Sequence, residues 1–175
     1  MIIRKAEASD IGAVEGIYDE IHLAEEEGEL TIGWARGIYP VRETAEAALE
    51  RGELFVLEDE GLILGAGIIN RNQVDVYALG DWDHEAADNQ VCVLHTLVIS
   101  PSHSGKGYGR AFLDFYECYA RDIGCKELRI DTNERNAVAR GMYERRGYRK
   151  AGIVPTCFNG IDGVKLVLLE KYIGE

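Results

Sequence analysis

Val91-Cys-Val-Leu-His-Thr-Leu-Val-Ile-Ser100 runs directly into Pro101-Ser-His-Ser-Gly-Lys-Gly-Tyr-Gly-Arg110. The first ten residues read as an apolar strand that stops at Pro101, and a run with helical spacing follows the glycines. Gly105, Gly107 and Gly109 alternate with other residues, so the loop exposes a row of backbone N–H groups just before the positive end of a helix. Such an arrangement holds a diphosphate. Glycine suits it because it tolerates positive φ and has no Cβ to keep phosphates away.

Several phosphate loops share this logic. A nucleotide-hydrolase loop needs Gly-x-x-x-x-Gly-Lys-Ser/Thr, which the chain does not contain. A dinucleotide loop needs Gly-x-Gly-x-x-Gly directly after a strand and an acid about twenty residues on. Asp131 lies roughly where that acid belongs, but the glycines here read Gly-x-Gly-x-Gly, and residues 101–104 separate them from the strand. Dinucleotide binding is therefore the third choice.

The stretch Ser104-Gly-Lys-Gly107-Tyr-Gly109 resembles Arg/Gln-x-x-Gly-x-Gly/Ala, the loop signature of the GNAT superfamily of acyl-CoA-dependent N-acetyltransferases. Some thirty residues later, Asn136-Ala-Val-Ala139-Arg-Gly-Met-Tyr143-Glu-Arg-Arg-Gly147-Tyr148 resembles that family's Asn-x-x-Ala-x-x-x-Tyr and Gly-Phe/Tyr. The chain departs from the pattern at Ser104, where the family has Arg or Gln. That leaves one phosphate contact weaker, or supplied by His103 or Lys106. The resemblance covers residues 91–151. It implies a single GNAT-like domain over residues 1–175, with a mixed central sheet, splayed central strands and helices on both faces.

Length and composition agree with one soluble α/β domain. The 175 residues suit a single sizeable core, and 46% hydrophobic with 29% charged residues is ordinary for a globular protein. No apolar run approaches the roughly 18 residues of a membrane helix, and Met1-Ile-Ile-Arg4-Lys5 is no secretory signal. A cytoplasmic protein is expected. Cys92, Cys118, Cys125 and Cys157 form no CxxC pair and read as buried free thiols, and the four histidines are scattered, so no metal site is expected. The net charge is −12, yet residues 100–150 hold 11 of the 19 Lys and Arg against 7 acidic residues, while residues 1–99 carry −15. Positive charge thus collects on the segment suited to an anionic cofactor, with Lys106 and Arg110 closest to its phosphates. A pI near 4.8 without a basic, aromatic-interleaved patch argues against nucleic acid.

Along the chain, residues 2–6 read as a strand. Ser9 is expected to cap a helix whose apolar positions are Ile11, Val14, Ile17, Tyr18 and Ile21. Residues 43–51 read as a short helix, 53–58 and 62–70 as a hairpin about Asp59-Glu60-Gly61, and 71–90 as a polar segment. The helix after the glycines presents Tyr108, Ala111, Phe112, Phe115 and Tyr119 on one face. Residues 126–131 form a strand, 136–146 a helix, and 148–155 and 164–172 the closing strands. Strands alternating with helices argue for an α/β sandwich.

Acetylating an amine needs three things. A primary amine of pKa near 10 must lose a proton, which costs on the order of 4 kcal/mol at pH 7. The carbonyl oxygen needs a donor as it becomes negative. The departing thiolate needs an acid. The resemblance implies that Tyr143 is that acid, that Asn136 contacts the cofactor, and that the backbone of Leu97, Val98 and Ile99 pairs with its pantetheine arm. Ser104, Gly105, Lys106, Gly107, Tyr108, Gly109 and Arg110 would bind its phosphates. The plainer readings are a packed tyrosine and a helix N-cap asparagine. His95, two residues before Leu97, is the candidate base, or else a satisfied histidine of the sheet. Asp81, Asp83, His84 and Glu85 are the alternative. Trp34, Tyr39 and Trp82 could wall the acceptor pocket or cap the core.

The resulting expectation is an N-acetyltransferase that moves an acetyl group from acetyl-CoA to a primary amine in a ternary complex. A small molecule, a protein N-terminus or a lysine remain open as acceptors, as does a homodimer. The acidic half would favour acceptors with a second positive charge, or merely aid solubility. A non-catalytic acyl-CoA-binding module of the same fold is the alternative.

Overall fold

The computed structural model describes residues 1–174, which group into two compact units. One comprises Met1–Leu30, Trp34–Ile69 and His95–Phe115, and the other comprises Thr31–Gly33, Asn70–Leu94 and the chain from Tyr116 onward.

In the first unit, β1 (Ile2–Lys5) lies antiparallel to β2 (Leu54–Asp59), which turns back into β3 (Leu62–Asn70). The turn residues Glu60 and Gly61 both have positive φ, 51° and 78°, the geometry that matches the right-handed twist of a hairpin. β4 (Val91–Ile99) contributes residues to both units. Its end meets β3, where the Ser100 N–H donates to the Leu64 carbonyl at 2.9 Å. A Cβ at Gly65 would stand 2.9 Å from the Val98 carbonyl oxygen and 2.6 Å from Ile99 Cδ1, so only glycine permits this approach. The helices α1 (Ile11–Glu26) and α2 (Arg42–Glu50) belong to this unit. α1 buries Ile11, Val14, Ile17, Tyr18 and Ile21, the apolar stripe of the sequence.

Helix α1 does not begin as expected. Ser9 lies inside a 3₁₀ turn, Ala8–Asp10, and the buried Asp10 stands at the N-cap position of α1 without its side chain bonding that helix. Its carboxylate accepts from the Glu7 N–H at 2.8 Å and from the Arg4 guanidinium at 2.7 and 3.1 Å. These charge-assisted bonds draw the carboxylate back to β1 and the preceding turn, away from the first amides of α1.

In the second unit, Val91–Leu94 of β4 pair in parallel with β5 (Glu127–Asn133). β5 is antiparallel to β7 (Ile161–Tyr172), which pairs with β6 (Arg149–Phe158) across a turn at Asn159 and Gly160, again both at positive φ. Tyr77, Val91, Val93, Ala151, Leu166 and Leu168 share a buried core. The strand order is β1-β2-β3-β4-β5-β7-β6, a seven-stranded mixed sheet in an α/β fold. Helices α3 (Tyr108–Asp122) and α4 (Ala137–Arg145) complete the elements. Residues 71–90 hold only two short 3₁₀ turns, Asp75–Leu79 and Asp88–Gln90.

Two expectations need correction. The buried stripe of α3 is Phe112, Leu113, Tyr116, Glu117 and Ala120, not the one centred on Tyr108, Phe115 and Tyr119, which are only half-buried. The charged Glu117 masks the true stripe in the sequence, and it is buried because Lys171 donates to it at 2.8 Å. Of the cysteines, Cys92 and Cys125 are buried, whereas Cys118 and Cys157 are exposed.

Hydrogen bonding to Arg4 holds the Asp10 carboxyl below the ordinary aspartate value. Its contribution to stability is therefore present above pH about 4 and is lost as pH falls through the depressed value. Asp10→Ala, which removes the bonds to Arg4 and the Glu7 N–H, is expected to cost about 1–2 kcal/mol in urea unfolding at pH 7. The difference from wild type should shrink in acid.

Candidate active site

β4 changes character at Thr96. Among the described residues its parallel register with β5 runs only from Val91–Glu127 to Leu94–Ile130, although β4 continues to Ile99 and β5 to Asn133. Thr96 has φ of +50°, a left-handed conformation that is rare for a β-branched residue and is held only where the surroundings enforce it. Its hydroxyl is hydrogen-bonded to that of Tyr39, and Tyr39 packs edge-on against Trp34 with ring centres 5.7 Å apart. His95, Leu97 and Ile99 are half-buried and Val98 is buried. Nothing in the sequence marks Thr96.

The glycine loop adopts the conformation its composition requires. Gly105 and Gly107 have φ of +75° and +86°, with open space where a Cβ would stand. α3 starts at Tyr108, and its first intrahelical bond runs from the Ala111 N–H to the Gly107 carbonyl at 3.0 Å. The amides of Tyr108, Gly109 and Arg110 thus stand at the turn that lacks intrahelical acceptors. Ser104, Lys106 and Arg110 are exposed. The Tyr108 hydroxyl donates to Asp59 at 2.8 Å, so this residue faces the loop with its backbone only. His103 is a poor substitute for the absent Arg or Gln. Its Nδ1 lies 3.0 Å from Ser102 Oγ and 3.2 Å from Ser100 Oγ, within a cluster anchored to Glu20. Lys106 is the better placed of the two.

Asn136 and Tyr143 belong to the second unit. Asn136 is the N-cap of α4, accepting from the Ala139 N–H at 3.1 Å, and Tyr143 is buried beside Tyr148 with ring centres 5.9 Å apart. Burial, and then the charge of Asp131, push the Tyr143 phenol above its ordinary value, so it stays protonated. In the sequence, Asp131 stands out only as a potential dinucleotide acid. On β5, it accepts a hydrogen bond from the Tyr77 hydroxyl at 2.8 Å, and burial raises its carboxyl to about 6 against the opposing pull of that bond. The sequence carried no signal for this Tyr77–Asp131 pair.

The alternative base segment is engaged elsewhere. Asp83 pairs with Arg149 at 2.6 Å, and its N–H donates to Glu170 at 2.9 Å. His84 stacks on Tyr172 at 4.4 Å. Trp82 donates to the Tyr77 carbonyl at 2.7 Å and lies under the Arg129 guanidinium at 4.0 Å, the position of a packing residue.

The sequence model of the acetyltransferase (GNAT) family matches residues 15–148. The chain belongs to the GNAT acetyltransferase family. It is an acetyl-CoA-dependent N-acetyltransferase. An uncharacterized N-acetyltransferase of Methanocaldococcus jannaschii is 27% identical over 173 residues, covering 98% of this chain and 91% of its own length. A GNAT-family acetyltransferase from Streptococcus agalactiae superposes with TM-score 0.82 at 23% identity, over 99% of this chain and 96% of that one. An acetyltransferase from Salmonella typhimurium, solved with its cofactor acetyl-CoA, superposes with TM-score 0.71 at 20% identity, over 100% and 95%. The residues present fit the GNAT co-substrate, since a two-glycine cradle at positive φ precedes a helix start flanked by Lys106 and Arg110. No helix among the described residues is long and apolar enough to cross a membrane.

The Tyr77 bond lowers the Asp131 carboxyl against burial. Tyr77→Phe should therefore move the Asp131 titration midpoint above about 6. Carboxyl ¹³C NMR would show it, and an unchanged midpoint would mean the bond does not form in solution.

Proposed function

We propose that the protein transfers the acetyl group of acetyl-CoA to a primary amine by direct attack in a ternary complex, as a single catalytic domain spanning residues 1–175. The observation that carries this reading is the glycine cradle, Gly105 and Gly107 at positive φ ahead of α3, on a chain of the GNAT family. The amides of Gly105 to Arg110 receive the diphosphate, with Lys106 and Arg110 adding charge. The backbone of Leu97, Val98 and Ile99, which β5 does not pair, hydrogen-bonds the pantetheine arm, and Asn136 adds a contact alongside its capping role.

In the reaction, His95 accepts a proton from the acceptor ammonium. The neutral nitrogen then attacks the thioester carbonyl, forming the N–C bond. As the C–S bond breaks, the electron pair goes to sulfur, and Tyr143 donates its hydroxyl proton toward the developing thiolate. The products are an acetamide and free CoA thiol, with the second amine proton released to replace that of Tyr143. A small-molecule amine, a protein N-terminus and a lysine all satisfy this chemistry. The charge of −15 over residues 1–99 favours a cationic acceptor among them.

Acetyl-CoA at a hundred times its dissociation constant should stabilise the protein by about 2.7 kcal/mol in thermal unfolding, whereas NAD should not. Gly107→Glu should abolish the effect, placing a negative side chain at a left-handed position in the cradle. Equal stabilisation by NAD would refute the assignment.

With an acceptor found by thiol-release screening, Tyr143→Phe should lower kcat about ten- to hundredfold and leave the KM for acetyl-CoA nearly unchanged. Unaltered turnover, where chemistry limits the rate, would return Tyr143 to a packing role.

A further inference from the structure

A second cluster of reactive side chains lies in the second unit. One ligand-type atom each from His84, Glu127 and Glu170 lies within 4.8 Å of the others. Glu127 and Glu170 are 0% and 2% exposed. Neither carboxylate oxygen of Glu127 accepts a hydrogen bond, nor does Oε2 of Glu170. The other oxygen of Glu170 is satisfied by the Asp83 N–H at 2.9 Å and by Arg149 Nε at 2.8 Å. Glu170 has Arg149 as its ion-pair partner, but Glu127 has no hydrogen-bond donor, and a buried carboxylate without a partner is costly.

The neighbouring cations do not supply one to Glu127. Arg149 is committed to Oε1 of Glu170, to Asp83 and to the Asp81 carbonyl. Arg129 is stacked on Trp82 and donates to Gln73. His84 Nδ1 stands 3.9 Å from Glu127 Oε2. That is too long for a hydrogen bond and a few tenths of an ångström wider than the roughly 3.3–3.6 Å between tetrahedral ligands of one ion, so a small inward shift of the exposed imidazole completes the set. The imidazole is oriented by its stack on Tyr172, with planes 8° apart, as ligating histidines are oriented by outer partners. Beside the cluster, His84 lines a cavity of about 630 Å³ together with Asp81, Trp82, Glu85 and Arg129, which leaves room for water ligands on the imidazole side.

We propose that His84, Glu127 and Glu170 form a divalent transition-metal site that ties the segment around residues 81–87 to β5 and β7. One imidazole with two carboxylates suits Zn²⁺ or Mn²⁺, with Zn²⁺ the tighter, and suits all-oxygen Ca²⁺ chemistry poorly. The site is separate from acetyl transfer and stands whether or not the roles of Tyr143 and His95 do.

The test is isothermal titration of Zn²⁺ into chelator-stripped, reduced protein, with Co²⁺ absorption as a second readout. One ion per chain is expected, with a rise in melting temperature. His84→Ala should weaken binding at least tenfold; its side chain is exposed, so its folding is not in question. Glu127→Gln, of the same shape, should do likewise and lose the Co²⁺ spectrum. Retention of full affinity by both variants would assign the ion to other groups, such as the exposed Cys118 or Cys157, and overturn the proposal. So would absence of binding to wild type at 100-fold excess over about 1 μM protein, a result that would leave the two carboxylates sharing a proton.

Discussion

The interaction on which the site depends is one that stops. Parallel pairing of β4 with β5 ends at Leu94–Ile130, and the backbone groups of the following β4 residues must find other partners. On its other side β4 is held by β3, through the Ser100–Leu64 bond and the approach that Gly65 permits. Thr96 marks the break. Its left-handed backbone interrupts the side-chain alternation of a regular strand, so His95 and Leu97 need not share a face as their spacing would imply. The hydroxyl bond to Tyr39 is the visible anchor of that conformation. In the proposed reaction the amides freed by the break serve the acetyl donor, and strand addition replaces strand pairing.

The second requirement is a place for phosphate charge on a protein of net charge −12. Long-range attraction cannot provide it, so in the proposed reading binding rests on short-range groups that salt screens weakly: loop amides, the start of α3, and Lys106. The tying-up of His103 by Ser100 and Ser102 explains why Ser104 leaves a real gap at the first loop position. It also confines compensation to Lys106 and Arg110.

What was legible in the sequence was what local chemistry decides. Alternating glycines after an apolar strand, the Asn136 and Tyr143 spacing, the stripe of α1 and the Glu60-Gly61 hairpin all follow from single-residue preferences. What was not legible depends on partners distant in the chain. Ser9 falls in a 3₁₀ turn that the Asp10 carboxylate closes, held there by Arg4 from β1. Glu117 entered the buried face of α3 because Lys171 meets it from β7. Tyr77 and Asp131 join across 54 residues. His84, Glu127 and Glu170 converge only once β5 and β7 are paired, so no spacing of ligand-type residues along the chain marks them. Thr96 is a separate case, since its conformation runs against its own intrinsic preference.

The environment of Tyr143 constrains how it acts in the proposed reaction. Burial and Asp131 raise its pKa above the ordinary tyrosine value of about 10, while a thiol such as that of CoA ionises near 8.5. Complete proton transfer from the phenol to the thiolate is therefore uphill by at least about 2 kcal/mol. A hydrogen bond to sulfur while charge builds on it suffers no such penalty, and burial strengthens it by excluding water. The phenol then stabilises the transition state as a donor, and its proton passes fully to sulfur only as the acetylated nitrogen, becoming acidic, returns one to Tyr143. Asp131 contributes by keeping the phenol protonated, and Tyr77 limits how far Asp131 itself is drawn toward the neutral acid. The three side chains act as a graded set in which each group fixes the protonation of the next.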